Sequence, residues 1–471
     1  MRFPSWARIA LLVAALLFAG PAMLLAHQSL RRSVPEKDSR LDAAPRELRL
    51  TFNEPVDFGL TRIVLLDPAG DTTALGPLER HADSTTVVVT AIRGPLRAGA
   101  YRVRWVTAGS DGHPTSGDFA FEILADADGL GPATAASGLG AMDTSMPRAP
   151  STRDAPGDGG FDTSSPAYVA LRWLLYLAIV LAVGAVAFRT LVIATLRRGF
   201  AVTPRWLAHA TARAAGLGLG AAMALLVAVS LRLWAQAAAI RGAGLPLDAD
   251  RLTTMMMSTS WGTGWMLQLA AAALLLLGFA LARRSEAPTG WALAAVGALL
   301  VCITPGLSGH AAAAARPALT IAADALHVLG AGGWIGSLAV VILAGVPAAF
   351  ALQREERGDA VADLIGAFSP AALAFGALIA FTGLAMAWIH LGEVNMLWAS
   401  GYGRVLLVKL GVLALLGATA AYNWRRVKPR LGDTAGTQTL RRSAAAEVAL
   451  AAAVFLVTAV LVATPIEPPA P

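Results

Sequence analysis

A single cysteine, Cys302, in 471 residues excludes an intramolecular disulfide framework and any metal site built from several thiolates. Charge is scarce as well. Asp, Glu, Lys and Arg make up 15% of the chain, against roughly a quarter in an average soluble domain, so an ordinary cytosolic enzyme is not expected. Aromatic residues amount to 7%, and the basic residues sit in short clusters between apolar runs. They form no stripe interleaved with stacking rings, which argues against nucleic acid as a partner. No Gly-x-x-x-x-Gly-Lys-Ser/Thr loop occurs, which argues against a self-contained ATP-driven pump. No flavin, haem-attachment or nucleotide motif is present either, and the chain reads as a non-enzyme. The 46 Gly and 26 Pro are too dispersed for a collagen-like fibre.

What the chain has in abundance is apolar sequence, 56% of it, unevenly distributed. Arg2 and Arg8 precede an almost wholly apolar run, Ile9 to Ala26, in the form of a secretory signal peptide over 1–26. Cleavage after Ala26 would make His27 the first residue. From Arg46 to Leu124 short alternating segments follow: Glu47–Phe52, Thr61–Leu66, Thr85–Thr90, Tyr101–Thr107 and Phe119–Leu124. Their period of two and their Val, Ile, Tyr and Trp content predict strands. Asp67-Pro68-Ala69-Gly70 and Arg93-Gly94-Pro95 supply turns, so residues 27–124 are expected to form a small antiparallel β-sandwich or barrel of immunoglobulin-like kind. Residues 125–166, rich in Gly, Ala, Ser, Asp and Pro, read as a disordered linker.

Beyond Pro166 the pattern changes to eight apolar segments of spanning length, about 167–196, 214–240, 262–282, 288–308, 318–348, 368–391, 402–423 and 444–464. Lipid offers exposed backbone no partner, so each is expected to be a helix of one polytopic bundle. Net charge divides as −2 over 27–126, −3 over 127–166 and +10 over 167–471. With the β-domain exported, the inner loops hold fourteen Lys and Arg and the outer loops three, as the positive-inside rule requires. The expected location is the inner (plasma) membrane, with the β-domain and the tail 465–471 on the periplasmic or exterior side.

Sorting the seven histidines by depth is informative. His27, His81 and His113 lie in the exported part, His310, His327 and His390 near the outer ends of spans, and only His209 on the inner side. Met255, Met256 and Met257 share an outer loop. Imidazole and thioether suit Cu(I), and imidazole also Cu(II). In the β-domain, Asp111-Gly112-His113-Pro114 forms a turn before the last strand, offering oxygen and nitrogen two residues apart. A free His27 would add an α-amine and a second imidazole, a mostly nitrogen set fit for tetragonal Cu(II). In the membrane half, Asp324 and His327 stand i to i+3, which is expected to put both on one helix face. An ionisable pair inside a span is a functional-site hypothesis by default. Cys302 reads as a packed thiol, and Arg404 and Lys409 as snorkelling residues.

Taken together, His27, Phe52-Asn53-Glu54-Pro55-Val56, Tyr101-Arg102-Val103-Arg104-Trp105 and Ser110-Asp111-Gly112-His113-Pro114-Thr115-Ser116-Gly117 resemble the periplasmic copper-binding family CopC over about 27–124. That resemblance implies a Cu(II) site made by His27, Asp111 and His113. The Met-rich Cu(I) site of some members has no counterpart, because Leu75 to Ser84 contains no methionine and only His81. Ser308-Gly309-His310-Ala311, Asp324, His327, Trp334, Gly336, Gly403-Arg404, Lys409, Asn423 and Glu447 resemble the inner-membrane copper resistance family CopD over about 167–464. A CopC/CopD fusion implies copper as cargo, with Cu(II) in the β-domain. The membrane domain is then expected to take Cu(I) or Cu(II) at His310 and His327, with Asp324, His390 and Met255 to Met257 as further ligand candidates. A periplasmic copper chaperone or reductase is the partner this chemistry calls for. Two other readings stand beside import: a haem-binding electron-transfer protein with His310, His327 and His390 as axial candidates, and a non-transporting module that binds or delivers copper.

Overall fold

The computed structural model describes residues 30–53, 56, 58–81, 84–108, 114–124, 165–199, 204–242, 248–285, 288–309, 311, 316–391, 393–427 and 434–464. The expected signal peptide, His27, Asp111, His113, His310, nearly all of the expected linker and the C-terminal tail lie outside the described residues, as does the side chain of His390.

The described residues of the N-terminal domain form nine strands: β1 (Leu30–Val34), β2 (Arg40–Leu41), β3 (Glu47–Phe52), β4 (Arg62–Leu66), β5 (Thr72–Thr73), β6 (Leu75–Arg80), β7 (Val87–Ile92), β8 (Gly99–Ala108) and β9 (Pro114–Ile123). Two sheets face each other, ordered β1-β3-β7-β6 and β2-β9-β8-β4-β5. All pairs are antiparallel except β2 with β9, a departure from a wholly antiparallel reading that closes one sheet edge with two residues. In β3, Leu48, Leu50 and Phe52 point inward and are buried, as the period of two demands. The core is aromatic. Phe52 meets Trp105 edge-on at 5.1 Å, and Tyr101 stacks on Phe121 at 5.5 Å. Gly117 pairs with Trp105 across the β8/β9 ladder, and a Cβ there would lie 2.6 Å from the indole, so only hydrogen fits beneath the ring. The strands that sequence alone does not mark are the irregular ones. β1 carries Arg31 and Arg32, and β6 contains Gly76, Pro77 and a register shift.

Among the described residues, eight helices are long and apolar enough to cross a membrane: α1 (Pro166–Gly199), α2 (Pro204–Gly242), α4 (Ser260–Ser285), α5 (Pro288–Leu307), α6 (Pro317–Ala349), α7 (Arg357–Leu391), α9 (Gly401–Tyr422) and α10 (Thr434–Ala463). Two short helices, α3 (Ala249–Ser258) and α8 (Met396–Ala399), lie between spans. The stretch 241–261, read from sequence as a loop, thus contains α3. Starts are chemically marked. Ser165 caps α1 by accepting from the Tyr168 N–H at 3.3 Å, with Pro166 following, and Ser400 caps α9 through the Gly403 N–H at 2.9 Å.

α1 is the central post: 67% of its apolar window is buried, against 22% for α7 and 17% for α9, whose exposed Leu373, Phe381, Leu384 and Leu415 form lipid-facing surface. α1 crosses α6 at glycines. A Cβ on Gly184 would fall 2.1 Å from the Gly336 carbonyl carbon, so the backbones touch where lipid provides no hydrophobic drive for association. Here α6 widens into a π-turn, Gly332–Gly336. Trp265 Nε1 donates to Val229 O at 2.9 Å and Trp173 Nε1 to Ala452 O at 2.9 Å, tying neighbouring helices by hydrogen bonds.

The two halves meet at a 3₁₀ turn, Phe58–Leu60, which packs on α3 and on β8. Leu60 is fully buried in the same apolar cluster as Met255 and Trp261 of the membrane half, with Val106 of β8 packed against it. Removing such a leucine from contact with water is worth about 1.5–3 kcal/mol.

Candidate metal centre

His327 lies on α6 and turns toward α7. Its Nδ1 is 3.0 Å from Thr382 Oγ1, and Thr382 Oγ1 donates to the Leu378 carbonyl at 2.7 Å. The hydroxyl proton is therefore spent on the helix, and Thr382 accepts from His327 Nδ1–H. This arrangement fits the tautomer in which Nε2 keeps its lone pair, the form in which imidazole binds a metal. Gly383 follows Thr382, and a Cβ on it would lie 3.3 Å from His327 Cε1, so the missing side chain makes room for the ring.

Asp324 sits one turn earlier on α6 and faces a different neighbour. A Cβ built on Gly306 of α5 would be 3.2 Å from Asp324 Oδ2, which directs the carboxylate to the last turn of α5, the turn leading into Ser308 and Gly309. The shared-face expectation is thereby refined, since Asp324 looks to α5 and His327 to α7. On α9, Lys409 is half-buried and Arg404 is exposed.

The remaining expected ligands divide. His310 is outside the described residues, two positions after Ser308, whose Oγ donates to Thr304 O at 3.0 Å. His390 lies in the final turn of α7. Met255 is fully buried, Met256 partly so and Met257 68% exposed. Three consecutive helical residues point about 100° apart, so the methionine triplet does not converge on one ion. Among the described residues no group of three His, Cys, Asp or Glu side chains is placed to hold a metal. Cys302 is buried in the bundle core, and Glu447 accepts from Asn423 Nδ2 at 2.8 Å at the opposite end of the bundle from α3.

In the β-domain, the β8/β9 ladder ends at the Ala108–Pro114 pair. Residues 109–113, outside the described residues, link these two. Next to that pair, Thr107 Oγ1 meets Thr61 Oγ1 at 2.7 Å, immediately after the turn that rests on α3. The strand ends flanking Asp111 and His113 therefore belong to the membrane-facing end of the sandwich. Neither Thr382, Gly383 nor Gly306 stands out in sequence. A lone Thr amid the apolar run of α7 is the faint signal that was available.

Family models match in three places: a CopC domain over 30–124, a copper resistance protein D-like N-terminal domain over 162–318, and copper resistance protein D over 362–461. The chain belongs to the CopC/CopD fusion family. It is 26% identical to copper transport protein CutJ of Bacillus subtilis across 96% of this chain and 76% of that protein. It is 33% identical to copper resistance protein C of Escherichia coli, over 21% of this chain and 82% of that protein. Among solved structures, PcoC, a methionine-rich copper resistance protein from Escherichia coli, matches at 33% identity over 21% of this chain and 99% of that chain, with a TM-score of 0.19. This CopC/CopD chain is thus a copper-handling membrane protein of transport and resistance type, and no catalytic family is indicated.

Proposed function

We propose that this protein imports copper across the inner membrane. In this reading the signal peptide is cleaved after Ala26, and the exported β-domain captures Cu(II) at His27, Asp111 and His113. Copper then passes to an outward-facing site at His310 and His327, with Asp324 and His390 lending further donors. A reductase or copper chaperone outside the membrane supplies the cargo in the required oxidation state. Residues 125–166 tether the two domains.

The observation that carries the reading is the chain His327 Nδ1–H to Thr382 to Leu378 O, because such outer hydrogen bonds orient ligating imidazoles. It supports a metal-ready Nε2 inside a span, in a chain whose β-domain rests on the membrane half near α3. The test is copper accumulation in proteoliposomes containing the full chain. Wild-type protein is expected to load the lumen, and His327→Ala to lose at least nine-tenths of the initial rate at equal protein content. Equal rates would overturn transport through this site. For the β-domain, one residue added before His27 displaces the amine and is expected to weaken Cu(II) binding at least tenfold; unchanged affinity rejects His27 as a ligand.

A further inference from the structure

The bundle encloses a small cavity, mostly apolar in lining, that borders the Ser308-Gly309 turn. It opens among α1, α2, α4, α5 and the end of α10, and Tyr168, Arg172, Tyr176, Arg232, Gln268 and Ser308 form its polar wall. Arg172 lies six residues into α1, about 9 Å along the helix from its start at 1.5 Å per residue, and is 8% exposed. The internal space, about 40 Å³, exceeds what one water requires and suits a single small ion.

Both guanidiniums are only partly used, and on neutral partners. Arg172 Nη1 donates to Ala459 O at 3.3 Å, and the group lies 4.9 Å over the Tyr168 ring. Arg232 Nη1 donates to Gln268 Oε1 at 3.0 Å and lies 5.2 Å over the Trp261 ring. Gln268 cannot turn away, because its Nε2 donates to Thr304 Oγ1 at 2.8 Å, and that hydroxyl donates to Val301 O at 2.8 Å. Each guanidinium has five N–H donors, so most remain. Among the described residues neither arginine has a carboxylate within ion-pair distance, and the ion pairs found there belong to the β-domain. Asp324 approaches across Gly306 but makes no ion pair with either arginine among the described residues. Two like charges sharing one poorly solvated wall are costly without a counter-charge, and among the described residues none is ion-paired with them.

We infer that this cavity is a binding site for one small inorganic anion of the halide class, held between Arg172 and Arg232. The occupant neutralises the pair and helps to lock α1 against α2 and α4. A lipid phosphate presents the same charge from another source, and the experiment separates the two. The full chain, purified free of copper, is exchanged into gluconate buffer at constant ionic strength and dialysed against radiolabelled chloride, with phosphorus measured in parallel. Saturable binding of about one chloride per chain is expected, displaced by bromide and not by phosphate, together with a rise in melting temperature that saturates over the same range. Arg172→Gln with Arg232→Gln should weaken chloride binding at least tenfold, while Arg232→Lys, which keeps the charge and the fold, should lose less. Absence of saturable chloride binding to wild-type protein overturns the inference, as does binding unaffected in both variants. One tightly held phosphorus per chain that excludes chloride overturns it in favour of a lipid headgroup. Because the protein is copper-free throughout, these outcomes are independent of the transport reading.

Discussion

His327 on α6 and Thr382 on α7 are joined through Nδ1 and Oγ1 at 3.0 Å, and this contact leaves Nε2 as the ring nitrogen not engaged by Thr382. The threonine acts on the ring twice over, by accepting its proton and by being fixed itself to the Leu378 carbonyl. Orientation of a candidate ligand is thus set by a helix to which it does not belong.

Thr382→Val removes the acceptor and keeps the shape. The unsatisfied imidazole N–H is expected to cost about 1–3 kcal/mol, and copper transport should fall about 10–100-fold, the usual penalty for losing a ligand's orienting partner. Thr382→Ser should retain most activity. Proteoliposome uptake and melting temperature measured side by side check both, and equal uptake by the valine variant would remove the orienting role.

Gly383→Ala separates site geometry from stability. Alanine is favoured over glycine in a helix by about 1 kcal/mol, so the protein should be as stable or more so. Yet the new methyl would stand 3.3 Å from His327 Cε1 and push the ring. Reduced copper uptake with an undiminished melting temperature is the expected result.

Leu60 joins the halves. Leu60→Asp places a charge in the cluster shared with Met255 and Trp261 and should release the β-domain from α3. Hydrogen exchange over residues 249–258 is expected to rise well above wild type, while strands β3 and β8 stay protected. Unchanged exchange there would deny the docking.

Gly184→Ala tests the α1/α6 crossing. Its methyl would fall 2.1 Å from the Gly336 carbonyl carbon, a backbone clash that no side-chain rotation relieves. A cost of several kcal/mol is expected, read as a sharply lowered melting temperature or loss of monodisperse protein. Gly220→Ala, with nothing within 4 Å of the new methyl, serves as the tolerated control.

Much of the architecture was legible in sequence because two periods are written plainly. The alternation in Glu47–Phe52 marks a half-buried strand, and the runs after Pro166 exceed the thickness of a bilayer. The strands that escaped notice, β1, β2, β5 and β6, are the edge strands of the two sheets, either two residues long or carrying charge, glycine or proline, since edge positions are freed from the core's pattern. α3 escaped because ten residues beginning Ala249-Asp250-Arg251 are neither long nor apolar enough to read as a span.

By itself, then, the sequence determined the division into a β-domain and eight spans and marked Asp324 and His327 as ionisable residues within one span, because both follow from local period and from the cost of charge in lipid. Only the tertiary structure decided that Asp324 faces α5 while His327 faces Thr382, that Met255 to Met257 diverge, and that Arg172 and Arg232 meet across one cavity. Those relations depend on how helices rotate and cross, and rotation is set by close packing at positions such as Gly184 and Gly336, which no residue's own chemistry reveals.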